Sequence, residues 1–424
     1  MNPSPNYLLP ILFCSALFSE FNFVNFEGSI PIRLSLGDIA IIFFVCFYLY
    51  LLKDNIIKIV KRNRLWVSLG LLFITVGVLA GVVNNDLWLV SVKSGIKIYL
   101  LFFLLSLLYQ DIPVSRGTLI ALCLIMIFIN AIAILEFIVP DKINGFLLFI
   151  FKSKEYLVHS RYNRVSSVFL NPNPFGTFNA VFAIAWLSIE LNYKKLVNHY
   201  LGGTTLFLCL TGVILSGSRE ALLTVLVGMA LLMYISMRDK TKTLRWVLLV
   251  FTIFGVMLFI GIKYNATIAN RISQVLPVAS KVYEHKPVCL RDFVPRYDLY
   301  VRSEIWEKGI SMFRDKPIFG LGINQFQYQN GLVFVGNSPN RFHMHDFFGE
   351  VLVDTGLVGI SLIFLLVISW FRHAKAPWQV GVIIVLLVSH AFDCFITLDI
   401  LWVIFIPWLV SITTREPGKM LVDS

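Results

Sequence analysis

The sequence predicts an all-α polytopic membrane protein of about twelve transmembrane helices, on three observations. Hydrophobic residues make up 57% of the chain and charged residues only 14%. Mean hydropathy is +0.78. Apolar runs repeatedly approach or exceed the roughly 20 residues that cross a bilayer as helix. Lipid offers the backbone no hydrogen bonds, so only helices and closed barrels span it. The strict two-residue alternation of a barrel is missing from this chain.

The expected spans, in order, are 7–24, 34–52, 65–83, 94–109, 117–139, 166–191, 201–215, 221–237, 246–262, 347–370, 379–397 and 400–413. The first is read as a retained span: Met1-Asn2-Pro3-Ser4-Pro5-Asn6 carries no basic residue, and no small-residue cleavage site follows the apolar run. Lys53, Lys58, Lys61, Arg62 and Arg64 crowd one connection, and Lys194 and Lys195 sit in another. Arg238, Lys240, Lys242 and Arg245 mark a third, Arg372 and Lys375 a fourth. All four fall on one side if the spans alternate, which makes that side cytoplasmic, with both termini. The organisation expected is nine spans over 1–262, a long outer loop over 263–346, and three spans with a tail over 347–424.

The net charge of +11 is divided between the short turns and the long loop. The turns serve topology, and the loop suits an anionic partner at the membrane surface rather than nucleic acid. Cys14, Cys46, Cys123, Cys209 and Cys394 lie in apolar runs, where cysteine packs as a small hydrophobe. Cys289 stands alone in the long loop and has no intrachain partner there. Within that loop Arg302 precedes Trp306 by one helical turn, and Ile305, Met312 and Phe313 form an apolar stripe. This is an amphipathic helix ended by Asp315-Lys316-Pro317, with a tight turn at Gly320-Leu321-Gly322.

His345 opens the span that follows the loop, at a water–lipid boundary. An imidazole there either anchors a helix end or acts as a general base near neutral pH. His343 is the weaker candidate. The i,i+2 spacing suits no shared helical metal site, and no ligand set completes one. Arg219 sits in Ser216-Gly217-Ser218-Arg219-Glu220 between two spans, where an arginine needs a partner or a wet cavity. Arg161 and Arg164 precede Asn171-Pro172-Asn173-Pro174, which breaks a span and frees backbone groups. Arginine suits phosphate because its fork bonds two oxygens and keeps its charge. The outer side carries no Asp-x-Asp pair for a divalent ion and no glycine-rich nucleotide loop. Ser216 and Ser218 lack an adjacent base. Glu136 and Asp393 lie within spans, where a transporter places relay carboxylates.

Four segments together resemble the O-antigen ligase and O-antigen polymerase superfamily over about residues 160–370. They are Arg164 through Gly176 with Asn171-Pro172-Asn173; Ser216-Gly217-Ser218-Arg219; Arg302 and Trp306 leading into Pro317-Ile318-Phe319-Gly320-Leu321-Gly322; and His345 followed by Asp354, Gly356 and Gly359. Asp346, Gly349 and Asp354 depart from the Asn, Leu and Glu usual in the family. The resemblance implies a GT-C-like membrane fold with short amphipathic helices in a large periplasmic loop. It implies metal-independent, inverting transfer of a glycan from undecaprenyl pyrophosphate to a sugar hydroxyl, at the periplasmic face of the bacterial inner membrane and without a cofactor. By motif position His345 is the base and Arg219 and Arg302 hold the pyrophosphate, with Arg164 and Arg161 assisting. The acceptor is lipid A–core for a ligase or a growing polysaccharide for a polymerase. A lipid-linked glycan flippase or other transporter, and a protein O-oligosaccharyltransferase, are the alternative readings.

Overall fold

Apolar runs bounded by Asn, Pro and Gly become helices whose ends can be read from their caps. The computed structural model describes residues 22–26, 32–35, 56–84, 88–100, 116–151, 164–169, 171–192, 197–239, 242–264, 296–326, 332–335, 338–341, 343–374 and 376–391, with a few isolated positions besides. In chain order the elements are β1 (Asn22–Phe26), β2 (Ile32–Ser35), α1 (Ile56–Arg62), α2 (Arg64–Asn84) and α3 (Trp88–Ser94), which runs into a π-helical turn at Gly95–Leu100. Then come α4 (Arg116–Ile138), α5 (Pro140–Phe151), α6 (Pro172–Asn192), α7 (His199–Ser216), α8 (Arg219–Asp239) and α9 (Lys242–Tyr264). The remainder are α10 (Arg296–Asp315), β3 (Leu332–Val335), β4 (Ser338–Arg341), α11 (Phe347–His373) and α12 (Pro377–His390).

Five of these helices are long and apolar enough to cross a membrane: α2, α4, α6, α7 and α11. Shorter apolar stretches occupy Val247–Gly261 and Pro377–His390. The expected spans at 7–24, 34–52 and 400–413 lie largely outside the described residues, and the one at 94–109 is described over 94–100 and 104–106. Two short antiparallel hairpins depart from the purely helical expectation. β1 pairs with β2 from Asn22↔Ser35 to Phe26↔Ile32, so helix does not run to residue 24. β3 pairs with β4 from Leu332↔Arg341 to Val335↔Ser338. The intervening Gly336-Asn337 has the composition of a tight hairpin connection.

The chain divides into two compact units. One comprises Met1–Thr118, Val301–Ile383 and His390–Ser424, the other Leu119–Tyr300 and Ile384–Ser389. In the second unit α6 is the central helix. It is apolar all round, the pattern of a helix enclosed by others, and it is buried from Phe175 through Ile189. A polar tie crosses its middle: Asn130 donates to the Asn179 side-chain carbonyl at 2.8 Å, and Asn179 donates to the Phe175 carbonyl at 3.0 Å. Gly212 of α7 lies against this pair, and any side chain there would collide with Asn130. Close approach through a small residue is how helices associate in lipid, where hydrophobicity no longer drives them together. His199 meets Glu190 at 3.1 Å where α6 gives way to α7. The end of α4 at Glu136, the segment at Arg164–Ser166 and the end of α7 at Ser216 meet at the other end.

In the first unit α11 is interrupted. Gly356 takes φ 64, ψ −166, which frees amides and carbonyls that a continuous helix would satisfy. The segment after α10 takes them up. Leu357 and Val358 donate to the carbonyls of Pro317 and Ile318 at 2.9 and 3.1 Å, while Leu321 and Gly322 donate to those of Val353 and Asp354 at 3.1 and 2.7 Å. The Asp354 carboxylate accepts the amides of Asn324 and Phe326 at 2.6 and 3.0 Å. Ile323 reaches across to the Gly77 carbonyl of α2 at 3.1 Å, and Asn84 donates to the Gly320 carbonyl at 3.0 Å. Two motifs some thirty residues apart therefore form one joint, which fixes where α10 ends relative to where α11 begins.

Candidate active site

The corner that carries His345 is held from both sides. Asp346 caps α11, accepting the amides of Phe348 and Gly349 at 3.1 and 3.0 Å. Burial pushes its carboxyl above the ordinary aspartate value, those two amides pull it down, and the Glu350 charge raises it again. From the first turn of the helix, Glu350 reaches back to His343 Nδ1 at 2.9 and 3.1 Å and to the Met344 amide at 3.4 Å. His345 lies between these anchors with φ 52, a left-handed conformation uncommon outside glycine. It is half-buried, whereas His343 and Glu350 are buried.

This pairing was missed in the sequence. Its signal was an acid in the first helical turn within reach of the preceding loop, a relative of the capping box. Asp346 serves as a cap as well as Asn does, and its charge suits a helix N-terminus. Gly349 is explained by its neighbours: an added Cβ would lie 2.7 Å from Asp346 Oδ2 and 3.2 Å from Trp306.

Trp306 brings in α10. The expected stripe is real: Ile305 and Met312 pack with Leu321, Phe326, Met344 and Val353, and Phe313 lies against the cluster. Arg302 is on the same helix, one turn before Trp306. Helix α10 and the His345 corner are thus brought together within one unit.

The other unit joins Arg164 to the Ser216–Arg219 corner. Arg164 donates through Nε to the Ser216 carbonyl at 2.9 Å and through Nη2 to Asn173 Oδ1 at 2.5 Å. Val165 donates to the Leu215 carbonyl at 3.3 Å. Gly217 ends α7 in the left-handed region at φ 58, its amide on the Ile214 carbonyl. Ser218 then caps α8, its hydroxyl accepting from the Ala221 amide at 3.3 Å, so Arg219 is the first residue of that helix. Ser216 and Ser218 are spent on backbone: Ser216 donates to Val213 and accepts from the Ser218 amide. The Asn-Pro-Asn-Pro stretch starts α6 rather than kinking it. Asn171 accepts the Asn173 amide at 2.9 Å, and Pro172 takes the first helical position, where no amide is needed.

Arg161 and Asp393 lie outside the described residues. Among the described residues no three His, Cys, Asp or Glu side chains gather as a metal-ligand set.

The class these elements define is a multi-pass helical membrane protein with a histidine corner and an arginine at the start of α8. The O-antigen ligase family model (Wzy_C) matches residues 204–364, a stretch that includes Arg219, Arg302 and His345. The teichuronic acid biosynthesis protein TuaE of Bacillus subtilis (strain 168) is 25% identical over 324 residues, covering 74% of this chain and 62% of that protein. The chain thus spans under two thirds of that relative's length. These matches support a likeness to the O-antigen ligase and O-antigen polymerase superfamily.

Proposed function

We propose that the protein is a metal-independent, inverting glycosyltransferase of the bacterial inner membrane, acting at the periplasmic face. Its donor is a glycan on undecaprenyl pyrophosphate and its acceptor a sugar hydroxyl. The acceptor oxygen attacks the anomeric carbon as the carbon–oxygen bond to pyrophosphate breaks. His345 takes the hydroxyl proton, and undecaprenyl pyrophosphate leaves with the bonding electron pair. Pyrophosphate is a good leaving group, so the enzyme needs charge stabilisation for it and a base for the incoming oxygen.

Arg219 and Arg302 hold the pyrophosphate, with Arg164 and Arg161 assisting. The start of α8 supports this for Arg219: the helix N-terminus and the guanidinium attract the same anion. The observation that carries the proposal is the His345 corner, an imidazole held in left-handed backbone between Asp346 and the Glu350–His343 pair. Such preorganisation is what a base in a fixed attack geometry requires. The likeness to a protein of teichuronic acid biosynthesis supports a role in polysaccharide assembly, and in the polymerase form the acceptor is a growing polysaccharide. Ligation to lipid A–core is the other form.

The test is transfer from synthetic undecaprenyl-pyrophosphate-linked glycan by purified protein. His345→Ala is expected to abolish turnover while the protein still inserts and binds donor. Normal turnover in that variant overturns the assignment, whereas a transporter would tolerate it better than loss of Arg219 or Arg302.

A further inference from the structure

Glu136 is a buried carboxylate in the last turn of α4, and the proposed mechanism leaves it without a role. An ionisable side chain at such depth is costly unless something specific faces it. Its partners are consecutive backbone amides. Oε2 accepts from Ser167 at 2.7 Å and Ser166 at 3.1 Å; Oε1 lies 3.3 Å from the Ser166 amide and 3.5 Å from the Ser166 hydroxyl. Ser167 has φ 52, and its hydroxyl donates to the Ile129 carbonyl at 2.6 Å. Successive amides converging on one anion beside a left-handed residue form a backbone nest. Here the anion is the protein's own carboxylate.

The nest has one consequence for the arginines. Ser166 is two residues from Arg164, and the intervening Val165 is pinned to Leu215. Arg164 in turn grips the Ser216 carbonyl and Asn173, next to the turn that starts α8 at Arg219. A single chain of contacts runs from Glu136 through Ser166–Ser167 and Arg164 to the Ser216–Arg219 corner. All of it lies within one compact unit.

We infer that Glu136 is a positioning residue of the donor site, fixing the backbone that aims Arg164 and holds the corner presenting Arg219. The inference rests on the reading of those arginines as pyrophosphate ligands. Glu136 acts as an acceptor of amide hydrogens, and the proton-relay role open to a carboxylate within a span is not its work. A glutamine carbonyl accepts the same two amides and offers its NH2 to the Ser166 hydroxyl oxygen, so the neutral variant should function.

The experiment measures donor KM, acceptor KM and kcat for purified protein with synthetic undecaprenyl-pyrophosphate-linked glycan. Binding of undecaprenyl pyrophosphate itself is measured separately from turnover. Glu136→Ala is expected to raise donor KM and weaken undecaprenyl pyrophosphate binding about tenfold, with acceptor KM changed less than about twofold. Glu136→Gln is expected to stay within about threefold of the parent. Glu136→Ala with Arg164→Ala should be no worse than Arg164→Ala alone, because the two act through one contact chain. Should the alanine variant fail to fold, Glu136→Asp retains the charge but withdraws the carboxylate, and the same rise in donor KM is expected.

Unchanged donor KM in the folded alanine or aspartate variant overturns the inference, as does a glutamine variant as impaired as alanine. Effects of Glu136→Ala and Arg164→Ala that simply multiply overturn it too. Arg219→Ala separates the two levels. If it leaves donor KM and binding unchanged, the arginine reading itself falls; if it raises donor KM while the Glu136 variants do not, only the positioning role falls.

Discussion

His345 is held by backbone, and its neighbours do the holding. Removing the Glu350 carboxylate takes away the partner of His343 Nδ1 and the acceptor for the Met344 amide. Glu350→Ala is therefore expected to lower kcat about tenfold or more with donor binding little changed, read from single-turnover transfer. Asp346→Ala removes a helix cap and should cost about 1 kcal/mol, seen as a lower unfolding temperature in detergent. Asp346→Asn restores an acceptor for the Phe348 and Gly349 amides and should recover most of that loss. The histidine itself was legible in the sequence from its place at a span entrance. The Glu350–His343 pair was not, because a one-dimensional pattern does not say which way a side chain at a helix start turns.

Helix α11 shows how a broken element becomes a connector. Gly356 carries a backbone conformation that an L-residue adopts only with strain, and a Cβ there would collide with the Ile318 carbonyl. Gly356→Ala is expected to destabilise by about 2 kcal/mol or more, combining strain with displacement of the joint to Pro317–Gly322. The check is the yield and monodispersity of folded protein by size exclusion in detergent. Asp354→Ala, which leaves the Asn324 and Phe326 amides without their acceptor, should cost about 1–3 kcal/mol per amide by the same assay. The spans at 65–83, 117–139, 201–215 and 347–370 stood out in the sequence because each is a long apolar run. The span expected at 166–191 begins instead at Pro172: Arg164 through Phe169 are tied to Glu136, Leu215 and Ser216 by bonds that hydropathy does not register.

For the whole protein, the proposed chemistry needs no divalent ion. EDTA is expected to leave turnover with synthetic donor unchanged; strong inhibition reversed by a divalent ion would point to a metal-dependent transferase. In cells, loss of a polymerase is expected to leave single-repeat surface glycan. Loss of a ligase is expected to leave no surface attachment and to accumulate lipid-linked polymer, so glycan length on a deletion strain separates the two forms.

By itself the sequence determined that this chain lives in lipid as helices, because apolar length is a local property that a bilayer reads directly. It also marked His345 and the arginines, since charge at a span boundary is conspicuous against so apolar a background. Only the tertiary structure decided which segment each motif bonds to. Gly320–Gly322 met the Gly356 break, Glu136 met Ser166–Ser167, and Glu350 met His343. The reason is physical: a buried amide, carbonyl or carboxylate must find a partner, but the partner's identity depends on which distant segment the packing brings alongside it.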